Sequence, residues 1–174
     1  MKAKEVIQLS AELLGIELTK ENTEYLLHCY NLVEHELATD YIPLRAVDNV
    51  LIAENKIKYA DLKNKPYRIL DIQSVLDRQN KEIKYKLFPE YIELAKNYNG
   101  HRLYIKYSYI PKTKDIDDNC DYSLMYEDIL KYGVCSEYCL IQGDFEQGAM
   151  WGEKYKNAVK IGWYMCKAKE LQNG

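Results

Sequence analysis

The chain has 174 residues with 24 basic and 27 acidic side chains and a formal net charge of −3. That length suits one domain with a real core, burying roughly 70% of the unfolded surface. It leaves no global basic excess to hold nucleic acid by counterion release, and no run approaches the ~20 apolar residues of a membrane span.

Five cysteines, an odd number, argue for reduced thiols rather than a disulfide framework. The opening "MKAKEVIQLSAELLG" carries Glu5 and Glu12 and has no continuous apolar core, so no secretion signal is expected and a cytoplasmic setting is. The 17 Tyr stand against 2 Phe and 2 Trp. This excess fits either nucleotide bias or many half-buried contact positions.

In chain order, "AKEVIQLSAELLG" predicts a helix with Val6, Leu9, Leu13 and Leu14 as its stripe and Gly15 as its left-handed cap. A second helix is predicted after Thr19 or Asn22, either of which can cap it. Its stripe is Tyr25, Leu26, Cys29, Leu32, Val33 and Leu37. Pro43 ends it by pushing Ile42 out of helical geometry. From about residue 48 the period becomes two. "VLIAENKIKYADL" predicts a hairpin turning at Glu54-Asn55, and "KPYRILDIQSVLD" a strand opened by Pro66. "EIKYKLFP" and "HRLYIKYSYIPK" alternate apolar and polar residues, as strands with one buried face do. Asn80-Lys81 and Asn99-Gly100 supply turn chemistry. A polar, acidic loop, "KTKDIDDNCD", is expected to stay solvated and to tolerate change. Asp121 is then predicted to cap a third helix from about Tyr122, with Met125, Ile129, Tyr132, Ser136, Cys139 and Leu140 on one face. Gly143-Asp144 makes a corner, and a fourth helix carries Phe145, Ala149, Gly152, Tyr155, Ala158, Val159 and Gly162 inward. The predicted fold is α+β. It has an N-terminal helix pair (1–40), a small antiparallel sheet of four to five strands (45–112) and a C-terminal helical hairpin (121–170), all in a single domain, 1–174.

The search for chemistry returns little. Cys135 and Cys139 stand one helical turn apart and could share a metal, but zinc needs two further ligands. Cys29, Cys120, Cys166 and His28 are the spare candidates, and none forms a second paired motif. The rival reading is packing, since cysteine behaves as a small buried hydrophobe. His28 and His35 share a helix face but lie too far apart for one ion, and His101 opens a strand. Asp117-Asp118 lack the spaced ligands and glycine of a calcium loop. No phosphate-cradling glycine run or nucleophile elbow occurs. Arg102 and Lys106 around Tyr104, followed by Lys112 and Lys114, form a weak candidate face for DNA or a partner. No enzyme is expected, and no cofactor or metal.

Five stretches carry a resemblance: "KEVIQLSAELLGIE"; "YIPLRAVDNVLIAENKIKYADLKNKPYRILDI"; "IKYKLFPEYIEL"; "LYIKYSYIPK"; and the helical corner "YGVCSEYCLIQGDFEQGAMWGEKYKNAV". Together they resemble the head-to-tail connector (adaptor) proteins of tailed bacteriophages, which include the tubular tail proteins of short-tailed phages. The likeness covers nearly the whole chain as an order of elements, and its motifs are mostly structural punctuation. Where much of that family has a small residue, this chain has Cys135 and Cys139, which favours packing over metal.

The resemblance implies a structural virion protein, a ring expected as a dodecamer, at the neck between portal and tail and in the host cytoplasm during assembly. Its partners would be other copies, the portal protein and the next tail or neck protein. Genomic DNA would pass through the lumen without sequence-specific binding. The corner and interface candidates are Tyr132, Glu137, Tyr138, Gly143, Asp144, Trp151 and Tyr155. The alternative is a small cytoplasmic helical protein-interaction module with no DNA channel.

Overall fold

A computed structural model describes residues 1–172, except the side chains of Leu124 and of 166–172. The candidacy of Cys166 lies outside the described residues. The protein is α+β, with four α-helices and six strands among the described residues. Where the sequence predicts one domain, the chain divides into two compact units. A helical unit is built from residues 1–42 and 113–174, and a sheet unit from 43–112.

In the helical unit, α1 spans Ala3–Leu14 and closes on Gly15, whose φ of 67° lets its N–H return to Glu12. It buries Ala3, Val6, Ile7 and Ala11, while Leu13 of the predicted stripe is exposed. Val6 is buried as predicted and Leu14 packs partly buried against Cys135, Cys139 and Trp151, while Ile7 and the two alanines complete the inward face. α2 spans Lys20–Glu36, and Thr19 caps it by accepting the Asn22 N–H at 3.2 Å. Leu26, Cys29, Val33 and Leu37 are buried as predicted, whereas Tyr25 and Leu32 are exposed. One wide π turn, Leu37–Tyr41, ends it where Ile42 N–H meets Leu37 O at 2.7 Å, just before Pro43.

α3 spans Glu127–Ile141, preceded by a 3₁₀ turn at Leu124–Tyr126, and α4 spans Phe145–Gln172. The third helix therefore starts later than predicted, and Asp121 does not cap it. Its carboxylate is held instead by Lys114 at 2.5 Å. α3 is the hub, packed against α1, α2 and α4. Gly133 marks its tightest point: a methyl there would stand 2.6 Å from Val33 Cγ1 and 3.1 Å from the Tyr155 ring. Ile129, Ser136 and Cys139 of the predicted stripe are buried, but Leu140 is 40% exposed, because the inward face is centred on Leu130, Val134 and Tyr138.

The segment after Thr113 keeps Asp115, Asp117 and Asn119 exposed, as its composition predicts, but its backbone is anchored. Ala3 N–H and Lys4 N–H donate to Asp118 O and Ile116 O, each at 3.0 Å, and Lys2 and Asn119 form a β-bridge. Asn31 grips Lys114 from both sides, its Oδ1 accepting the backbone N–H at 2.6 Å and its Nδ2 donating to the backbone O at 3.1 Å. Beneath the segment, Glu34 is fully buried. Its Oε1 accepts from Tyr30 Oη at 2.8 Å and Asp121 N–H at 3.1 Å, and its Oε2 has no partner among the described residues.

Burial pushes the Glu34 carboxyl up to about 7, although the bonds from Tyr30 and Asp121 and the charge of Lys114 pull the other way; the Asp121 charge adds to the rise. A raised carboxyl favours the folded state below the unfolded value and weakens it as pH climbs from there through about 7. Glu34→Gln is therefore expected to flatten the stability profile between acid and pH 8 and to be the more stable form at pH 8, by on the order of 3 kcal/mol. Urea melts of both proteins across that range check it, and parallel profiles would refute it.

In the sheet unit, β1 (Leu44–Leu51), β6 (Arg102–Ile110) and β3 (Arg68–Leu76) form one antiparallel sheet in the order β1-β6-β3. β2 (Lys56–Lys58), β5 (Tyr91–Leu94) and β4 (Tyr85–Leu87) form a second, in the order β2-β5-β4. This corrects the single sheet of four to five strands. The turn at Glu54-Asn55 forms as predicted, both residues taking positive φ (54° and 57°). Its two arms nevertheless enter different sheets. The alternation in β6 holds for Leu103, Ile105, Tyr107 and Tyr109, which are buried, but Ser108 is buried as well. Ile57, Val75, Ile92, Leu103 and Ile105 fill the core. Asp48 is buried among them and accepts from Tyr107 Oη at 3.0 Å and Lys63 N–H at 2.7 Å.

Candidate functional site

The predicted corner is formed as a close helical hairpin. Gly143 takes φ 79°, and Asp144 turns its carboxylate to the Gln147 N–H at 3.1 Å, so the end of α3 and the start of α4 are both capped. Tyr132 stacks on Trp151 at 5.8 Å between centroids, and Lys154 Nζ stands 4.2 Å above the Trp151 ring. Tyr138 Oη donates to Asn22 Oδ1 at 3.1 Å, which ties α3 to the start of α2. Tyr155 is buried, meets Tyr41 edge-on at 6.3 Å and donates to Glu36 Oε2 at 3.3 Å. Burial raises the Glu36 carboxyl; the Tyr155 bond opposes this and the half-buried Glu137 adds to it. The corner candidates are therefore packing residues at their inner ends. Only Gly143, Asp144 and part of Glu137 and Tyr132 reach solvent.

The two cysteines sit in that same packing. Cys135 and Cys139 cluster with Trp151, and the Cys135 thiol approaches Ser10 O at 3.6 Å. Burial pushes the Cys135 thiol up to about 12 and raises Cys139, which is the reverse of what a nucleophilic thiol requires. Among the described residues, no group of three or more His, Cys, Asp or Glu side chains is placed to hold a metal ion. Likewise, no described helix is long and apolar enough to cross a membrane.

On the sheet unit, Arg102, Tyr104 and Lys106 all point outward from β6, as the alternation predicts. Across the ladder Asn49 lies opposite Tyr104, Val47 opposite Lys106 and Leu51 opposite Arg102. The result is an aromatic ring between two cations, beside exposed Val47 and Leu51. Lys112 is exposed, but Lys114 is 6% exposed and its ammonium is committed to Asp121, which removes it from any DNA-facing set.

Sequence reasoning misses two concavities. A groove of about 610 Å³ in the sheet unit is lined by Tyr59, Tyr67, Ile69, Phe88 and Tyr91. Phe88 stacks on Tyr91 at 4.7 Å, Lys56 Nζ stands 4.5 Å over Tyr91, and Tyr59 Oη donates to Phe88 O at 3.0 Å. Its only advance signal was "FPEY", which reads as a strand end. A second groove, of about 290 Å³, lies in the helical unit between Tyr41 and the far half of α4. Neither groove brings a nucleophile and a base together.

No family model matches the chain, and no curated protein matches it.

Proposed function

We propose that the protein is a structural virion component without catalysis: an oligomeric connector ring joining the phage portal to the tail, with DNA passing through its lumen. The observation that carries the reading is the presence of two surfaces of unlike chemistry, one on each unit. The helical unit exposes large apolar side chains along α4, among them Phe145, Ile161 and Tyr164. The sheet unit exposes the Arg102-Tyr104-Lys106 row. A ring grows by heterologous contact, in which one surface of a subunit meets a different surface of the next. A net charge of −3 suits a channel that must not hold DNA tightly. The portal protein and a further tail or neck protein as partners, and a site in the virion neck, follow from the same reading, as does residence in the host cytoplasm before assembly.

Electron microscopy of the protein mixed with portal rings tests it. Closed rings seated on portals are the expected result. A protein that joins neither portal rings nor DNA-filled heads would count decisively against it, whatever its state in free solution.

A further inference from the structure

The helical unit carries a knob and a socket on one flank of the same helix. At 100° per residue, positions 145, 149, 152, 156 and 163 of α4 fall within about 60° of one another. Phe145, at the start, is 70% exposed. Trp163 lies about 27 Å further along the axis at 1.5 Å per residue. There it joins Tyr164, Val159 and Tyr41 around the 290 Å³ groove. Beyond the groove Ile161 and Met165 are also exposed, at 58% and 47%. These exposed apolar side chains stand beside Lys156 and Lys160, so the flank of α4 that faces the groove is an apolar strip with a charged border.

Charge identifies what meets it. The start of α4 is acidic, with Asp144 and Glu146. The groove carries Lys156 and Lys160 against Asp40, and since Lys156 is paired with Glu153 at 3.6 Å, Lys160 is the cation that meets the other copy's acidic start. A second copy laid antiparallel along the flank brings each acidic start over the other's basic groove. In antiparallel packing like flanks meet, so Glu146 of one copy faces Lys160 of the other. Ala149 and Gly152 leave room where the helices cross. One twofold axis then satisfies both knob-and-socket contacts together.

We propose that α4 pairs antiparallel with α4 of a second copy of this chain, Phe145 of each entering the groove between Tyr41 and Trp163 of the other. This goes beyond the connector reading, because a twofold pair closes on itself and cannot be the contact that propagates a ring. It is the form the protein takes outside an assembly, with the Phe145 knob and the groove beside Trp163 covered.

Sedimentation velocity over a concentration series tests the pairing. The wild type is expected to pass from monomer to dimer. Phe145→Glu is expected to weaken the dimer by about tenfold or more, as loss of an anchor in a desolvated pocket does. Its circular dichroism melt should not move, since Phe145 lies outside the core. Glu146→Lys and Lys160→Glu should each weaken the dimer, and an equimolar mixture of the two should restore it as a heterodimer. A wild type that stays monomeric at every concentration overturns the proposal. So does a dimer indifferent to Phe145→Glu, or a mixture of the charge variants that fails to associate. The connector reading is judged on portal rings, so the two fail separately.

Discussion

Tyr155→Ala is expected to lower the stability of the helical unit by about 3–5 kcal/mol, the range for truncating a large buried aromatic. Tyr155 is 7% exposed at the meeting of three helices, its ring edge-on to Tyr41 and beneath Gly133. Truncation opens a cavity that Gly133, having no side chain, cannot fill. Tyr155→Phe keeps the ring and loses only the 3.3 Å bond to Glu36, so it should cost about 1 kcal/mol. Leu140→Ala is the control. Leu140 is 40% exposed, and its loss should be felt far less than a core leucine's. Denaturant melts followed by far-ultraviolet circular dichroism, where helix dominates, rank the three. An order in which Leu140→Ala equals Tyr155→Ala would refute the packing described.

Where the chain turns was legible, because a turn is a local property. Gly15, Asn55, Asn80, Gly100 and Gly143 all take positive φ, and each stands where glycine or asparagine signalled a break. Strand faces were legible for the same reason, since alternation in β6 follows from the pleat alone. Strand partners were not. A period of two says which residues point inward but not which strand lies alongside, so the arms of the Glu54-Asn55 hairpin were read as one sheet. β5 went unseen because Phe88 and Pro89 made its start look like a strand end. α4 misled in another way. Its far half, "VKIGWYM", has one lysine among apolar residues that spread around the helix, so the buried stripe cannot be told from the exposed apolar positions. The buried row proved to be Gly148, Trp151, Tyr155, Val159 and Gly162 rather than one beginning at Phe145. The corner itself was legible in Gly143-Asp144. Both grooves depend on side chains distant in sequence, and composition carries no trace of them.

The clearest failure of local reading, the segment 113–121, gives a second testable effect. Lys114→Met is expected to destabilise the helical unit by about 1–2 kcal/mol, since it removes the buried ammonium of a pair whose other member, Asp121, still reaches solvent. The backbone clamp from Asn31 survives the substitution, because it grips the Lys114 main chain and not its side chain. What disappears is the ammonium that faces Asp121 and also restrains the buried Glu34. Without it the Glu34 carboxyl rises further, and the loss of stability with rising pH extends to higher pH. Lys114→Met/Asp121→Leu should recover only a small part of the loss, because the Asp121 carboxylate already reaches solvent and its removal relieves little. DNA binding gives the complementary readout. Lys114→Met should leave the salt dependence of any non-specific binding unchanged, whereas Arg102→Ala/Lys106→Ala should reduce its slope. If Lys114→Met instead leaves the melt untouched and flattens the salt slope, the segment is the free basic loop that its sequence suggests, and the clamp by Asn31 and Asp121 contributes nothing to the fold.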